Sequence, residues 1–211
     1  MPAGFSGRPR FLASVMSAPE ALTALAAGAE IIDGKNPAAG ALGALPHATV
    51  RAIVEAVGHT VPVSATIGDL PANPDVLCDA AIAMAATGID LVKIGFFDGG
   101  DAKASIAALG HLDLGQGRLV GLLLADRNPD LNLVAAMADA GFAGVMLDTA
   151  TKDGRALPDV MSTAEISRFV DAARAIGLFV GQTGQRRSLA GNAGARANVH
   201  QDFAVEFEFF R

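Results

Sequence analysis

The chain is short of several residues that carry common chemistries. Among its 211 residues there is one cysteine, Cys78, no Trp and no Tyr, and lysine occurs at only four positions. A lone cysteine cannot form an internal disulfide and leaves no CxxC pair, so a reducing, cytoplasmic setting is expected. His47, His59, His111 and His200 are scattered without ligand spacing, and neither HExxH nor DxDxDG occurs, which argues against a protein-held metal. With 5% aromatic residues there is no stacking platform for single-stranded nucleic acid. A net charge of −6 and a pI near 5.1 provide no basic footprint for phosphate backbones. Apolar runs such as "LVGLLLA" (119–125) are far too short to span a bilayer. The opening "MPAGFSGRPRF" has no apolar signal-type segment, and residues 1–8 are expected to be a loose polar tail.

What remains is an apolar, glycine-rich chain with 51% hydrophobic residues and 24 Gly, enough for one sizeable core. A single domain over residues 9–211 is the plain expectation. Short apolar runs recur at 10–16, 30–35, 61–69, 90–97, 118–126, 144–150 and 178–184. Most are apolar on both faces, the pattern of parallel strands covered on either side. Ala-rich amphipathic stretches lie between them. "SAPEALTALAAGA" opens on Ser17 and closes near Gly28; "LNLVAAMADAGFA" ends at Gly141; "STAEISRFVDAARAIG" pairs Ser162 with Glu165 as a capping box and stops at Gly177.

Seven strand–helix units in an α/β chain point to a TIM-type (β/α)8 barrel. The competing doubly wound sheet is disfavoured because "SVMSAPEA" in the first turn is not GxGxxG. The last unit reads as irregular or incomplete. Residues 185–202 are polar and glycine-rich without a helical stripe, and "FAVEFEFFR" (203–211) alternates in strand period. Its Phe face suits a sheet edge, barrel closure or a contact between copies in a homo-oligomer.

The lysines sharpen the reading. Lys103 sits at a helix start, whereas Lys35, Lys93 and Lys152 fall at the ends of the second, fourth and sixth strand runs. Alternate staves of a barrel project into one layer, so three amines would converge at the catalytic rim. The plain alternative for each is a snorkelling surface lysine. Lysine, unlike the arginine this chain otherwise prefers, can lose its proton and form a Schiff base. Asp33, two residues before Lys35, and Asp148, four before Lys152, are candidate proton relays or orienting groups. Asp69 and Asp126 read more simply as turn caps.

These residues also carry a resemblance. "AGAEIIDGKNPAAGALGALP" (27–46), "VSATIGDLP" (63–71), "DLVKIGFF" (90–97), "LADRNPDLNL" (124–133) and "GFAGVMLDTATKDG" (141–154) resemble the (5-formylfuran-3-yl)methyl phosphate synthase family over about residues 10–181. The resemblance implies a TIM barrel that condenses two molecules of glyceraldehyde 3-phosphate into 4-(hydroxymethyl)-2-furancarboxaldehyde phosphate. Phosphate and water are lost, and the product serves biosynthesis of a methanofuran-type one-carbon carrier. It places the Schiff-base lysine at Lys35 and the proton acceptor at Lys93, with Lys152 and Asp148 lining the site. No metal or organic cofactor is implied, and the partner is a phosphorylated triose. After "GLFVG" (177–181) the chain departs from the family, lacking its last helix and its Gly-x-Arg-Gly phosphate loop; Gly181 and Gly184 keep part of a turn and are the phosphate-binding candidates. Two alternatives stand beside this one: another Schiff-base aldolase acting on a sugar phosphate, and a barrel that binds a ligand or partner without turnover.

Overall fold

The computed structural model describes residues 9–151, 155–184 and 204–208. Strands and helices alternate: β1 (Pro9–Val15), α1 (Ala18–Ala26), β2 (Ile31–Gly34), α2 (His47–Val57), β3 (Val63–Thr66), α3 (Pro74–Ala85), β4 (Leu91–Gly95), α4 (Ala102–Leu109), β5 (Arg118–Leu124), α5 (Leu133–Asp139) and β6 (Gly144–Asp148). A short α6 (Leu157–Val160) and a longer α7 (Thr163–Ala175) precede β7 (Phe179–Gly184), and β8 (Ala204–Glu208) ends the described chain. β2 to β6 each fall inside an apolar run seen in the sequence and stop before its end, so Lys35, Asp69 and Asp126 lie in loops while Asp33, Lys93 and Asp148 lie in strands.

The local chemistry explains where helices start. Ser17 accepts the amide of Glu20, whose carboxylate accepts the amide of Met16. Asn73 and Asp101 cap α3 and α4 in the same way, and Ser162 and Glu165 form the reciprocal box that opens α7. Gly141 and Gly177 follow α5 and α7 with φ of +77° and +79°, the left-handed turn that a side chain disfavours.

β1 to β7 pair in parallel and in sequence order, giving a curled sheet of seven strands with the helices outside. β8 is different. It runs antiparallel to both β7 and β1 and closes the sheet between them. The last unit, irregular in the sequence, departs from the (β/α)8 plan through the direction of its strand. A parallel eighth strand needs a crossover, usually through a helix, and residues 185–202 have no apolar stripe with which to pack one. The Phe face expected at 203–210 lies outside the residues whose side chains are described, as does the loose tail expected at 1–8. Among the described residues no helix is long and apolar enough to cross a membrane.

The core has two layers. Ile32, Val92, Ile94, Leu123, Val145 and Leu147 face outward and pack under the helices. Leu12, Ile31, Leu91, Val120, Leu122, Met146 and Phe179 fill the barrel interior, together with Leu42 from the loop after β2. Gly144 belongs to this fit, because a Cβ there would overlap the Phe179 ring. Two residues beyond Leu12, Ile31, Leu91 and Met146 come Ser14, Asp33, Lys93 and Asp148. Strand period two keeps each on the inner face, one step nearer the carboxyl ends. The apolar floor thus carries a polar layer directly above it.

Candidate active site

That polar layer is almost wholly withdrawn from solvent. Asp33, Lys35, Lys93 and Asp148 are 1–3% exposed, and Ser64 and Thr66 are fully buried. Charges buried this deeply must be paired, and they are. The Lys93 Nζ lies 2.6 Å from Asp33 Oδ2, and the Lys35 Nζ lies 3.3 Å from Asp148 Oδ2.

The pairing crosses the barrel rather than following the chain. Asp33 is two residues from Lys35, yet it holds Lys93 of β4. Lys35 turns to Asp148, the last residue of β6. Position explains this. Lys35 continues the β2 line past the strand, its amide donating to the Val15 carbonyl at 3.1 Å, which carries its side chain above that of Asp33. Lys93 lies within β4, opposite Thr66 and Val120, rather than at its end as the run length suggested. It is therefore level with Asp33.

Neighbouring strands complete the network. Ser14 and Ser64 stand beside Asp33 in register on β1 and β3. The Ser64 hydroxyl donates to Asp33 Oδ1 at 2.6 Å, and the Ser14 hydroxyl donates to Oδ2 at 3.1 Å. Asp148 Oδ1 accepts the Thr149 amide at 2.7 Å, which fixes the carboxylate that faces Lys35. Neither serine was singled out from the sequence. Their signal was a small polar residue, Ser14 or Ser64, at an inward position of an apolar strand.

Burial pushes the Lys93 ammonium below its ordinary range. Asp33 opposes this, nearby Lys35 reinforces it, and Asp148 opposes it again. Two lysines and two carboxylates share the interior, so their formal charges cancel while each amine keeps a neighbouring acceptor for its protons.

Asp69 and Asp126 do act as caps, but for a neighbouring unit. Asp69, which follows β3, accepts the amides of Ala41 and Leu42 in the loop after β2 at 2.8 and 2.6 Å. Asp126, which follows β5, accepts those of Ala150 and Thr151 in the loop after β6 at 2.7 and 2.9 Å. Burial raises the Asp126 carboxyl, but these amide bonds outweigh it and hold the group below the usual carboxylate range. Thr66 adds a hydrogen bond to the Gly43 carbonyl. The loop carrying Leu42 is thereby held down over the barrel mouth, against the Gly95 and Phe97 positions. Beside it a cavity of about 470 Å³ opens at the carboxyl rim, touching Ala41, Asp69, Phe97, Leu124, Arg127 and Ala150.

Lys152 lies outside the described residues. Gly181 and Gly184 are not turn residues: both belong to β7, in register with Phe207 and Ala204 of β8. The strand continues through them because β8 supplies an antiparallel ladder on that side. Among the described residues no group of three or more His, Cys, Asp or Glu side chains is placed to hold a metal ion.

The sequence that builds this site has a match among known families. The model of 4-HFC-P synthase matches residues 11–189. The chain belongs to that family. A Methylorubrum extorquens protein bearing the name (5-formylfuran-3-yl)methyl phosphate synthase in provisional form is 42% identical over 179 residues, covering 85% of this chain and 73% of that one. The Methanopyrus kandleri protein named (5-formylfuran-3-yl)methyl phosphate synthase is 37% identical, covering 85% of this chain and 81% of its own. Its Archaeoglobus fulgidus namesake is also 37% identical, covering 83% and 80%.

Solved structures add the fold alone. The copper homeostasis protein CutC of Streptococcus agalactiae superposes with a TM-score of 0.62 at 16% identity, covering 80% of this chain and 84% of that one. A dihydrodipicolinate synthase superposes with a TM-score of 0.59 at 11% identity, covering 81% and 62%.

Proposed function

We propose that this 4-HFC-P synthase family member is a carbon–oxygen lyase acting on phosphates. It condenses two molecules of glyceraldehyde 3-phosphate into (5-formylfuran-3-yl)methyl phosphate, for a methanofuran-type cofactor made in the cytoplasm. We read its architecture as a TIM-type barrel whose eighth stave is antiparallel. The observation that carries the reading is the placement of Lys35 and Lys93, two buried amines with separate carboxylate partners in one inward layer.

Building a furan from two trioses requires a carbon nucleophile, a new C–C bond, departure of one phosphate and dehydration. Lys35 supplies the nucleophile. Its amine adds to the first triose carbonyl, water leaves, and the resulting iminium withdraws electrons from the neighbouring carbon. Loss of the proton on that carbon gives an enamine, which attacks the second aldehyde. Asp148, at 3.3 Å, takes protons from and returns them to the Lys35 nitrogen as it passes through these states. Lys93, whose ammonium burial disfavours, accepts the carbon proton. Asp33 balances the charge that Lys93 then carries. The iminium itself is the electron sink. Lys152, Gly181 and Gly184, the two glycines lying in β7 rather than in a loop, are the proposed contributors to phosphate binding, at the end of the sheet that barrels use for it.

The test is incubation with glyceraldehyde 3-phosphate, followed by ultraviolet and mass detection of a furan aldehyde phosphate. Retro-aldol cleavage without a furan would instead assign the chain to a Schiff-base aldolase. Ligand binding without any product would mark a barrel that does not turn over.

A further inference from the structure

Asp33 holds more hydrogen bonds than an ion pair needs. Besides Lys93 at 2.6 Å it accepts Ser64 at 2.6 Å on one oxygen and Ser14 at 3.1 Å on the other. Ser64 is fully buried on β3, and its hydroxyl donates to this carboxylate. A hydroxyl pointing its proton at a carboxylate satisfies part of the negative charge. Less of that charge then remains to hold a proton on the amine at the other side.

We propose that Ser64, assisted by Ser14, is a positioning residue that sets the pH at which Lys93 gives up its proton, acting through Asp33. The charged groups facing Lys93 among the described residues are Asp33 on β2, Lys35 just beyond it and Asp148 on β6. On the β5 side it meets apolar Val120 and Leu122. Of these groups, the only one the serines touch is Asp33. Deleting a serine hydroxyl returns charge to Asp33 and so to Lys93. The Lys93 proton is then held to higher pH, while its other charged neighbours are unchanged. The functional consequence rests on the proposed role of Lys93 as proton acceptor; the placement itself does not.

The experiment exploits the scarcity of lysine. With four in the chain, protein labelled with ¹³C at lysine Cε gives a spectrum in which Lys93 is assigned by Lys93→Arg and its titration midpoint read directly. A charge-assisted hydrogen bond and one pH unit are of similar size, so Ser64→Ala is expected to move the midpoint up by about one unit. Ser14→Ala, losing the longer bond, moves it the same way by less. Ser64→Thr, which keeps the hydroxyl, returns it towards the parent value. Exposed Lys103 stays put in all of them. An unchanged Lys93 midpoint in Ser64→Ala overturns the proposal, and should that variant fail to fold, an unchanged midpoint in Ser14→Ala does so. A midpoint that moves while the rate profile with glyceraldehyde 3-phosphate does not supports this inference and counts against the role proposed for Lys93.

Discussion

Asp33 meets Lys93 at 2.6 Å across the barrel, although the lysine nearest to it in sequence is Lys35. The two strands between which this contact forms, β2 and β4, are separated by β3, whose Ser64 fills the gap. Alternate staves meet in the interior, as barrel geometry requires. The contact therefore ties three strands together as well as holding an amine in the site.

Breaking that pair from one side exposes its cost. Lys93→Ala leaves Asp33 buried without its cation, for an expected loss of about 3–5 kcal/mol. The double variant Asp33→Asn, Lys93→Met replaces the charges with uncharged groups of similar size and should recover most of that stability while remaining inactive. Chemical denaturation of the two variants checks it; equal stability losses would contradict the pairing.

Lys93 should also leave a mark on alkaline stability. Its folded value lies below the ordinary 10.5, so between the two the unfolded chain binds a proton that the native chain does not. Stability attributable to this group therefore rises with pH through that window and is at its lowest below it. The absence of tyrosine removes one alkaline titration, leaving Cys78 and the other lysines as the main background. The difference in unfolding free energy between the parent and Lys93→Met should grow with pH up to 10.5 in favour of the parent. A flat difference would show that burial does not depress this amine.

Asp69 holds the Leu42 loop through two backbone amides. Asp69→Ala orphans both and should cost about 2 kcal/mol. The larger effect is expected on turnover, with kcat reduced tenfold or more, because Asn36 and Lys35 begin the same loop. Leu42→Ala, which empties the fully buried position beneath it, should cost about 2–5 kcal/mol. Steady-state kinetics alongside thermal melts separate the two effects.

Asp126 anchors the loop after β6, and its carboxyl is held low by the amides it accepts. Such a group stabilises the fold above its ordinary value of 3.8, and the contribution disappears as pH falls through the lowered folded value. Because the side chain is only half-buried, Asp126→Asn should cost only about 1 kcal/mol near neutrality. Faster proteolytic cleavage around residues 150–156 in the variant is the sensitive readout; cleavage at the parent rate would dismiss the anchor.

Much of this architecture was legible in the residues. Apolar runs without alternation marked the parallel strands because both faces of such strands are covered, and Ser162 with Glu165 marked a helix start. Asp33, Lys35, Lys93 and Asp148 stood out as charged residues inside or closing those runs. Their partners did not, since Asp33 with Lys93 and Lys35 with Asp148 depend on how far each stave slides past the next. A run of "DLVKIGFF" does not disclose that the strand stops at Gly95 and leaves Lys93 in its middle. Ser14 and Ser64 were silent for another reason. A small polar residue in a buried strand gains its meaning from the group beside it, here a carboxylate two strands from the lysine it serves. The closing strand showed its period in "FAVEFEFFR", but strand period is the same for either direction, so its antiparallel course had to come from the sheet.

The central claim is that Lys35 becomes covalently bound to substrate. Borohydride added during incubation with glyceraldehyde 3-phosphate reduces an imine to a stable secondary amine, and peptide mass mapping then locates it. The account predicts one triose adduct on the peptide containing Lys35, abolished by Lys35→Arg and retained in Ser14→Ala. An unmodified Lys35 under conditions that yield the furan product, or an adduct confined to Lys93, would contradict it.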